Sequence, residues 1–518
     1  MSRPISSRAT VGVVGAGTMG IGIAEVAASN GHPVRLHDVR DGAVAAAIAG
    51  LAARLEGRVA RGRLDGSARD ELLARITPAA TVAELTPCAL VIEAVIEDLE
   101  IKQRLFAALE TVVAADAILA TNTSSLSVTE IAARLKRPAR LVGMHFFNPV
   151  PVMALVEVVR GLDSDPEVVE RVMATATAWG KRAVRVASTP GFIVNRVARP
   201  FYGEALRLLQ EGATDPASLD AVMREAGGFR MGPCELMDLI GHDINLAVSR
   251  SVWEAFFHDP RYRPSLLQQE MVRGGRLGRK RERGFFDYRD GAERPAPATV
   301  APAPRPGRVV WRGKPGPLAP LVERLAAHGF HVNRGAGTPG REGWLEADGV
   351  RIALSDGRTA AERAAAEGGD WVLLDLALDY GTTTRLAVAR SGGDETLRPV
   401  AGLLQAAGIA VTEIDDTPGL LLLRTVGLLV NEGAEAVLQR VCSAEAVDDA
   451  MRHGVNYPRG PLAWGDALGA RRVVTLLDRL QAAYGEERYR PSLWLRRRAQ
   501  AGSPLLEAGG TGSTTEEQ

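Results

Sequence analysis

The sequence is poor in cysteine, in net charge and in long apolar runs, and each deficit excludes a class of protein. Three cysteines, Cys88, Cys234 and Cys442, are too scattered along 518 residues for a disulfide framework or a clustered metal site. Because 62 Lys and Arg balance 62 Asp and Glu, a basic nucleic-acid-binding protein is disfavoured. No apolar run approaches the roughly 18 residues of a membrane span, and residues 1–10 lack a signal-peptide core. We therefore expect a soluble cytoplasmic protein that binds no metal, nucleic acid or membrane.

The composition is that of a folded chain whose local patterns alternate along its length. Apolar residues make up 46% and charged residues 24%, which disfavours wholesale disorder. Short β-branched runs alternate with helical stretches, which predicts a mainly parallel, doubly wound sheet; helices, a Pro/Ala-rich linker and a second α/β-then-helical succession follow. The predicted segments are 1–188 (α/β), 189–288 (helical), 289–307 (semi-extended linker without a core), 308–411 (α/β), 412–503 (helical) and 504–518 (disordered tail).

An internal repeat duplicates the helical segment. Residues 189–196 (Thr-Pro-Gly-Phe-Ile-Val-Asn-Arg) match residues 417–424 (Thr-Pro-Gly-Leu-Leu-Leu-Leu-Arg), and Arg261–Ser265 recurs unchanged as Arg488–Ser492. Further matches in register are Gly232-Pro233 with Gly460-Pro461, Asp238 with Asp466, and Gly241 with Gly469. So many matches in one register indicate a duplicated all-α domain. In the first copy we predict an opening helix over residues 194–211.

A glycine-rich turn follows the first predicted strand. Its sequence is Gly15-Ala16-Gly17-Thr18-Met19-Gly20, and Asp38 ends the next strand. Glycines in this pattern permit a tight turn, close approach of the backbone to a pyrophosphate, and helix–strand packing. The strand–turn–helix context favours a Rossmann-type dinucleotide site over a turn without a ligand. The charge of Asp38 would repel a 2′-phosphate, so NAD is favoured over NADP, although Arg40 lies nearby.

A histidine and a glutamate face each other across the next turn. His145 ends one predicted strand, Asn148-Pro149-Val150-Pro151 forms the turn, and Glu157 lies in the following strand. A carboxylate on one imidazole nitrogen fixes the tautomer and raises the basicity of the other, which suits a general base. The alternative is a purely structural hydrogen bond.

Two further polar side chains could complete this site. Ser124 lies in a run of hydroxyl residues after a strand, where ligands meet open α/β sheets; helix capping by Ser124 or Ser125 is the alternative. Asn195 lies in an apolar run where a helix begins, and the alternative there is a core amide bonded to the backbone.

With these motifs in order, the chain resembles the 3-hydroxyacyl-CoA dehydrogenases from residue 10 to residue 288. Beyond the glycine turn, the resemblance rests on Glu93–Glu97, Asn122–Ser125, His145–Pro149, Leu155–Val158, Pro190–Arg196 and Gly284–Tyr288. It implies NAD-dependent oxidation of a (3S)-3-hydroxyacyl-CoA, with His145 as base, Glu157 as its partner, and Ser124 and Asn195 positioning the substrate. It also implies NAD contacts by Glu97, Lys102, Ser124 and Asn148. Arg54, Arg58, Arg61 and Arg63 could meet coenzyme A or form a solvated helix face.

The second half resembles that of the longer bacterial members, such as the enzymes of phenylacetate degradation. These carry a reduced Rossmann-like domain, which residues 308–411 would form, and a second helical copy. No glycine motif or His-Phe-Phe-Asn-Pro run occurs there, and Leu423 stands where the first copy has Asn195. The second half is therefore predicted to be non-catalytic.

The resemblance leaves the assembly and the acyl chain open. Short family members dimerise through the helical domain, so the two copies are predicted to form an internal pseudo-dimer around the active site; self-association of the chain also stays open. An adipyl chain would need a cation such as Arg196, Arg199 or one within 279–283, and a butyryl chain would not. Oxidation of a free hydroxy acid and a catalytically silent scaffold are the remaining alternatives.

Overall fold

The computed structural model describes residues 2–337 and 342–506, which divide into two compact units. The first unit contains the residues up to Arg196 together with residues 439–455. The second unit contains residues 197–438 and the chain from Asn456 onward. This division differs from the predicted segments, because a piece of the second helical copy lies with the first sheet.

The first unit is built on a sheet in which, among the described residues, eight strands follow the order β3-β2-β1-β4-β5-β6-β7-β8. Its strands are β1 (Thr10–Val14), β2 (Val34–His37), β3 (Ile76–Pro78), β4 (Cys88–Glu93), β5 (Ile118–Thr121), β6 (Leu141–Phe146), β7 (Leu155–Arg160) and β8 (Arg182–Ala187). Its helices are α1 (Thr18–Ser29), α2 (Ala43–Val59), α3 (Gly66–Ala74), α4 (Leu99–Val112), α5 (Val128–Ala132) and α6 (Pro166–Ala178). Strands β6 and β7 run antiparallel, and the other neighbours run parallel.

The predicted doubly wound sheet is thus confirmed, with two strands that sequence reasoning missed. Strand β3 is three residues long and carries too little pattern to be recognised. Strand β8 does carry a signal, since the side chains of Val184 and Val186 are buried while Arg185 between them is exposed. That alternation is the signature of a strand with one solvated face.

The first helical copy follows. It comprises α7 (Val194–Val197), α8 (Arg199–Gln210), α9 (Pro216–Glu225), α10 (Pro233–Ile240), α11 (His242–Ala255) and α12 (Leu266–Arg273). The single helix predicted over residues 194–211 is wrong, because the chain breaks at Ala198. Pro200 lacks a backbone N–H and cannot bond to the carbonyl of Arg196, which ends the first short helix.

A second, mixed sheet lies in the second unit, where the described residues form seven strands in the order β10-β9-β11-β12-β13-β14-β15. The strands are β9 (Val309–Arg312), β10 (Val332–Gly335), β11 (Trp344–Ala347), β12 (Val350–Leu354), β13 (Trp371–Leu374), β14 (Arg385–Arg390) and β15 (Ala410–Glu413). The helices are α13 (Ala319–Ala327), α14 (Ala360–Glu367) and α15 (Asp394–Ala406). The reduced Rossmann-like domain is therefore confirmed. Strands β13 and β14 run antiparallel and β15 is parallel to β14, the same succession as β6, β7 and β8.

The Pro/Ala-rich linker differs from the coreless spacer that the sequence predicts. The N–H of Val300 donates to the carbonyl of Val411 at 2.8 Å, and the N–H of Ala303 donates to Gln405 Oε1 at 2.8 Å. The linker also passes so close to α15 that a Cβ on Gly402 would lie 1.9 Å from the carbonyl oxygen of Pro304. Proline keeps the segment extended, and these contacts fix it along β15 and α15.

The second helical copy comprises α16 (Leu422–Leu438), α17 (Ala444–Gly454), α18 (Pro461–Leu468), α19 (Ala470–Tyr484) and α20 (Leu493–Ala501). The two copies share backbone details: φ is 49° at Phe192 and 55° at the matching Leu420, a left-handed conformation that is rare outside glycine. No helix within the described ranges is long and apolar enough to cross a membrane.

The second copy extends beyond the predicted boundary at residue 503. Asp466 accepts hydrogen bonds from the N–H groups of Leu505 and Leu506, and the side chain of Leu505 is buried. The matching Asp238 accepts the N–H groups of Phe285 and Phe286 in the same way. The tail predicted over 504–518 is therefore wrong for its first residues, and residues 507–518 lie outside the described ranges.

Within the second unit, the two helical copies contact each other through α8 and α16. Arg424 Nε on α16 donates to Glu204 Oε2 on α8 at 2.6 Å, and the hydroxyl of Tyr489 donates to the same oxygen at 3.1 Å. The repeat-related contact joins a tyrosine of the first copy to a glutamate of the second. The hydroxyl of Tyr262 donates to Glu432 at 2.5 Å. A glutamate of each copy is thus held by a tyrosine of the other.

A matching pair of helices covers the two sheets. Helix α9 of the first copy packs on β14. Ala226, the residue after this helix, accepts the N–H of Leu378, in the segment after β13, at 2.8 Å. Helix α17, its counterpart in the second copy, packs on β7 and β8 in the first unit. Each helical copy therefore contributes its second long helix to the sheet of the other half.

Candidate active site

The glycine turn after β1 has the geometry that a dinucleotide requires. Gly15 has a φ of 104°, which other residues rarely adopt, and a Cβ on Gly20 would lie 1.7 Å from the carbonyl oxygen of Gly15. At Gly17, in contrast, no atom lies within 4 Å of a Cβ position. Neighbouring backbone therefore crowds Gly15 and Gly20, whereas the space next to Gly17 is empty. Helix α1 begins directly after Gly17, with Thr18 and Met19. Pyrophosphate could approach the backbone there.

Asp38 lies directly beside this turn, at the end of β2. Its Oδ2 accepts the N–H of Ala16 at 2.8 Å, and its Oδ1 accepts the N–H of Arg40 at 2.9 Å. The hydrogen-bonded guanidinium of Arg40 holds the pKa of the Asp38 carboxyl well below its usual range. A fixed negative charge therefore borders the turn, and its contact with the ribose of a nucleotide stays a prediction.

The predicted histidine–glutamate pair is formed. His145 on β6 lies directly opposite Glu157 on β7, and Nδ1 of His145 is 2.7 Å from Oε2 of Glu157. His145 is 6% exposed and Glu157 is fully buried. Since a carboxylate only accepts, Nδ1 carries the proton and Nε2 is left as the basic nitrogen. Nε2 has no hydrogen-bond partner among the described residues.

The second oxygen of Glu157 fixes the start of the following helix. Its Oε1 accepts the N–H groups of Ile193 at 2.9 Å and Val194 at 3.0 Å. Asn195 comes next in the chain, and its partly exposed amide makes no hydrogen bond with any described residue. The alternative of a core amide bonded to the backbone is therefore not what the structure has. Glu157 positions both the histidine ring and the backbone that carries Asn195.

The side chain of Glu97 fixes the loop that carries Ser124 through several hydrogen bonds. Oε1 of Glu97 accepts the N–H groups of Ser124 at 2.9 Å and Ser125 at 3.0 Å, and the hydroxyl of Thr123 at 2.7 Å. Burial would raise the pKa of Glu97, but the Lys102 ammonium and these hydrogen bonds outweigh it and set the pKa at about 2. Capping by Ser124 or Ser125 is not observed, because Ser127 caps α5.

Lys102, one of the residues expected to contact NAD, is almost inaccessible. Its side chain is 1% exposed, and Nζ lies 2.6 Å from Glu93 Oε1 and 3.2 Å from Glu97 Oε2. In this structure Lys102 supports Glu97 rather than reaching the edge of the sheet. Asn148, by contrast, is exposed in the turn after β6. Direct contacts of both residues with the cofactor stay predictions.

Sequence reasoning missed two supporting residues. Oδ1 of Asn122 accepts the N–H of Phe146 at 2.9 Å, which ties the Ser124 loop to the strand that carries His145. Glu93 accepts the hydroxyl of Thr121 at 2.7 Å in addition to the Lys102 ammonium. A usable signal was present for Glu93, because a carboxylate at the end of the buried run Leu90–Ile92 needs a partner.

All these groups lie at one edge of the sheet. The glycine turn, Asp38, Glu97 and Ser124 follow the carboxyl ends of the parallel strands β1, β2, β4 and β5, and His145 is near the end of β6. Ligands of open α/β sheets bind at this edge. The residues present therefore fit a bound NAD. A basic imidazole nitrogen, the amide of Asn195 and the hydroxyl of Ser124, which donates to Glu97 Oε1 at 3.4 Å, lie at the same edge.

Family models match the chain in the predicted order. A model described as 3-hydroxyacyl-CoA dehydrogenase, NAD binding domain, matches residues 10–189. The C-terminal domain model of the same enzymes matches twice, at residues 191–288 and 419–512. A model described as 3-hydroxybutyryl-CoA dehydrogenase reduced Rossmann-fold domain matches residues 352–418. The double match supports the internal repeat.

Individual relatives include proteins of full and of half length. The chain is 45% identical over 501 residues to the 3-hydroxyadipyl-CoA dehydrogenase of Escherichia coli K12, covering 96% of this chain and 98% of that protein. It is 42% identical over 278 residues to the probable 3-hydroxybutyryl-CoA dehydrogenase of Bacillus subtilis 168, covering 54% and 96%. The crystal structure of 3-hydroxybutyryl-CoA dehydrogenase from Escherichia coli K12 superposes with a TM-score of 0.87 at 44% identity, covering 95% and 98%.

Proposed function

The chain belongs to the 3-hydroxyacyl-CoA dehydrogenase family, and on that premise we propose which of its residues carry out the NAD-dependent oxidation of a (3S)-3-hydroxyacyl-CoA to a 3-ketoacyl-CoA. The proposal rests on one observation above all. His145 is held at 2.7 Å by a fully buried carboxylate, at the carboxyl edge of a sheet that carries a dinucleotide turn. A histidine so oriented is suited to proton transfer at its other nitrogen.

His145 is the general base. Its Nε2 takes the proton of the substrate hydroxyl while the hydride leaves C3, so that the O–H and C3–H bonds break and the C3=O bond forms. NAD⁺ bound at the glycine turn supplies the acceptor for that hydride. Glu157 stabilises the imidazolium that results, because its carboxylate already accepts from Nδ1. In the reverse direction His145 returns the proton as a general acid.

Ser124 and Asn195 position the reacting oxygens. Both are partly exposed, and both are fixed through their backbones: Ser124 through Glu97, and Asn195 through the Glu157 bond to the preceding Val194. Because the supporting carboxylates are satisfied before substrate arrives, little reorganisation is needed during the reaction. Preorganised donors of this kind account for much of the rate enhancement of enzymes.

We propose 3-hydroxyadipyl-CoA as the preferred substrate. Support comes from the identity over nearly the whole chain with the Escherichia coli protein of that name. Of the candidate cations, Arg196 is buried and Arg279 pairs with Glu235. Arg199 donates to the hydroxyl of Ser249 and forms no ion pair with any residue in the described ranges.

The names of other relatives favour a second candidate, 3-hydroxybutyryl-CoA. To separate the two, kcat/KM is measured with both substrates. We expect a preference for the adipyl substrate of about 10- to 100-fold, the worth of one charge-assisted hydrogen bond to its distal carboxylate. Equal values, or a preference for the butyryl substrate, would reject 3-hydroxyadipyl-CoA as the preferred substrate, and no activity with any acyl-CoA would reject the proposed function.

A further inference from the structure

Helix α17 comes from the half of the chain without a catalytic set, yet it packs on the strand that carries Glu157. The N–H of Ala187 at the end of β8 donates to the carbonyl of Val441 at 2.8 Å, just before α17. At the start of β8, Nε of Arg182 donates to Asp449 on α17 at 2.8 Å. These contacts fix the helix along β8 and β7 within the first unit.

Gly454, the last residue of α17, lies close to the strand that carries Glu157. A Cβ at this position would lie 2.6 Å from Cδ2 of Leu155 and 3.0 Å from Cγ2 of Val194. Both contacts are shorter than a carbon–carbon separation at van der Waals distance. Gly454 is buried and helical, with no positive φ, so glycine is required there for space and not for backbone conformation.

The two residues that a Cβ at Gly454 would meet both lie next to Glu157, one along its strand and one through a hydrogen bond. Leu155 lies two positions before Glu157 on β7, so the two side chains point to the same face of the sheet. Val194 donates its N–H to Oε1 of Glu157 at 3.0 Å. Leu155 is fully buried and Val194 is β-branched, which leaves neither side chain much freedom to turn away.

We propose that α17 is a positioning element of the active site, and that Gly454 is the residue through which it sets the placement of Glu157 and therefore of His145. This rests on the proposed function, because it assigns the second half a part in the same reaction. The degenerate half then supports catalysis through packing rather than through a second set of catalytic groups. An added methyl group should push Leu155 and Val194 outward by a few tenths of an ångström.

The test is Gly454→Ala in the full-length protein. Since a misplacement of about 1 Å can cost about 100-fold, we expect the single-turnover rate constant for NADH oxidation by acetoacetyl-CoA to fall by about 3- to 10-fold. KM for both substrates should stay within two-fold. With NADH deuterated at the transferred position, the isotope effect on kcat should increase, because hydride transfer becomes slower. A loss of folded protein alone would change neither the isotope effect nor the rate per folded molecule.

The matched control is Gly50→Ala in α2, where no atom lies within 4 Å of the added Cβ. Alanine has the higher helix propensity, so both substitutions favour their helices. The control should leave the rate and the isotope effect unchanged. Equal rates for Gly454→Ala and the wild type would overturn the proposal, whereas an inactive wild type would instead refute the proposed function.

A second-site variant keeps the test decisive if Gly454→Ala does not fold. Leu155→Val shortens the side chain that the new methyl group meets. The double variant Gly454→Ala, Leu155→Val should react within two-fold of Leu155→Val alone. If the two substitutions instead multiply their effects, the contact between Gly454 and Leu155 does not control the rate, and the proposal is wrong.

Discussion

The two sheets carry different groups at equivalent positions. In the first, His145 on β6 lies opposite Glu157 on β7. In the second, Asp375 follows β13 and donates its N–H to the carbonyl of Ala387 on β14 at 2.9 Å. Because β13 and β14 precede β15 as β6 and β7 precede β8, Asp375 corresponds to His145 and Ala387 to Glu157.

What persists in the second half is the anchoring of a helix. The carboxylate of Asp375 accepts the N–H groups of Leu421, Leu422 and Leu423 at 3.1, 2.7 and 2.9 Å. Glu157 accepts the N–H groups of Ile193 and Val194 in the repeat-related turn. Buried N–H groups need an acceptor whether or not a reaction takes place. The second half therefore keeps an acceptor for these N–H groups, but Asp375 at the position of His145 supplies it, and Ala387 at the position of Glu157 does not.

The largest effect should come from His145→Ala. We expect kcat to fall by about 10²- to 10⁴-fold, the usual contribution of an acid–base group. Asp375→Ala at the equivalent position should leave turnover per folded molecule unchanged. Stopped-flow measurement of NADH oxidation tests both variants, and an unchanged hydride-transfer rate in His145→Ala would disprove the assignment.

Stability should depend on the contact between the copies. Glu204→Ala leaves the buried guanidinium of Arg424 without its closest carboxylate, and breaking a buried pair costs about 3–5 kcal/mol. Denaturant unfolding should report that loss. The double variant Glu204→Ala, Arg424→Ala should lose less unfolding free energy than the sum of the losses of the two single variants. Glu432→Ala should cost a similar amount if the two copies are energetically alike. A loss below about 1 kcal/mol for Glu204→Ala would show that the pair is not important for stability.

Exchanging the residues at one repeat position compares the two halves directly. Asn195→Leu gives the first half the residue of the second, and kcat should fall about 100-fold through loss of one positioned donor. Leu423→Asn places an amide at a buried position and should lower the unfolding free energy by about 1–3 kcal/mol. It should add no activity. A wild-type rate for Asn195→Leu would remove Asn195 from the site.

The smallest effect concerns pH. Burial raises the pKa of Asp375 to about 6 from 3.8, against the hydrogen bonds that lower it. The native state therefore binds a proton more tightly than the unfolded state. The stability from this group is present below about pH 4 and is lost as pH rises through about 6, by on the order of 2 kcal/mol. Unfolding free energies measured from pH 4.5 to 7.5 should fall less steeply for Asp375→Asn than for the wild type; parallel curves would argue against this.

Short-range patterns were sufficient to predict the catalytic half. The turn from Gly15 to Gly20, the His145–Glu157 pair and the partly exposed Asn195 all depend on neighbours in sequence or on adjacent strands. Such positions are constrained by local geometry and by the period of a strand or helix. The repeat was equally visible, because its two copies retain the same turns.

What sequence reasoning missed depends on contacts between distant segments. Nothing near Lys102 indicates that it is enclosed by two carboxylates, and nothing near Gly454 indicates that it meets Leu155. The linker was expected to lack a core because it consists mainly of Pro, Ala and charged residues, yet its backbone hydrogen bonds fix it. The equivalence of Asp375 and His145 is a matter of strand pairing and leaves no trace in the residues themselves.

The fixed linker has a consequence for how the protein responds to dilution. The glutamates and tyrosines that join the helical copies belong to one polypeptide, and residues 298–304 connect them along β15. Association of tethered parts corresponds to local concentrations of about a millimolar or more. Their assembly is then a first-order process. Specific activity should therefore stay constant over dilutions that would separate two unlinked subunits.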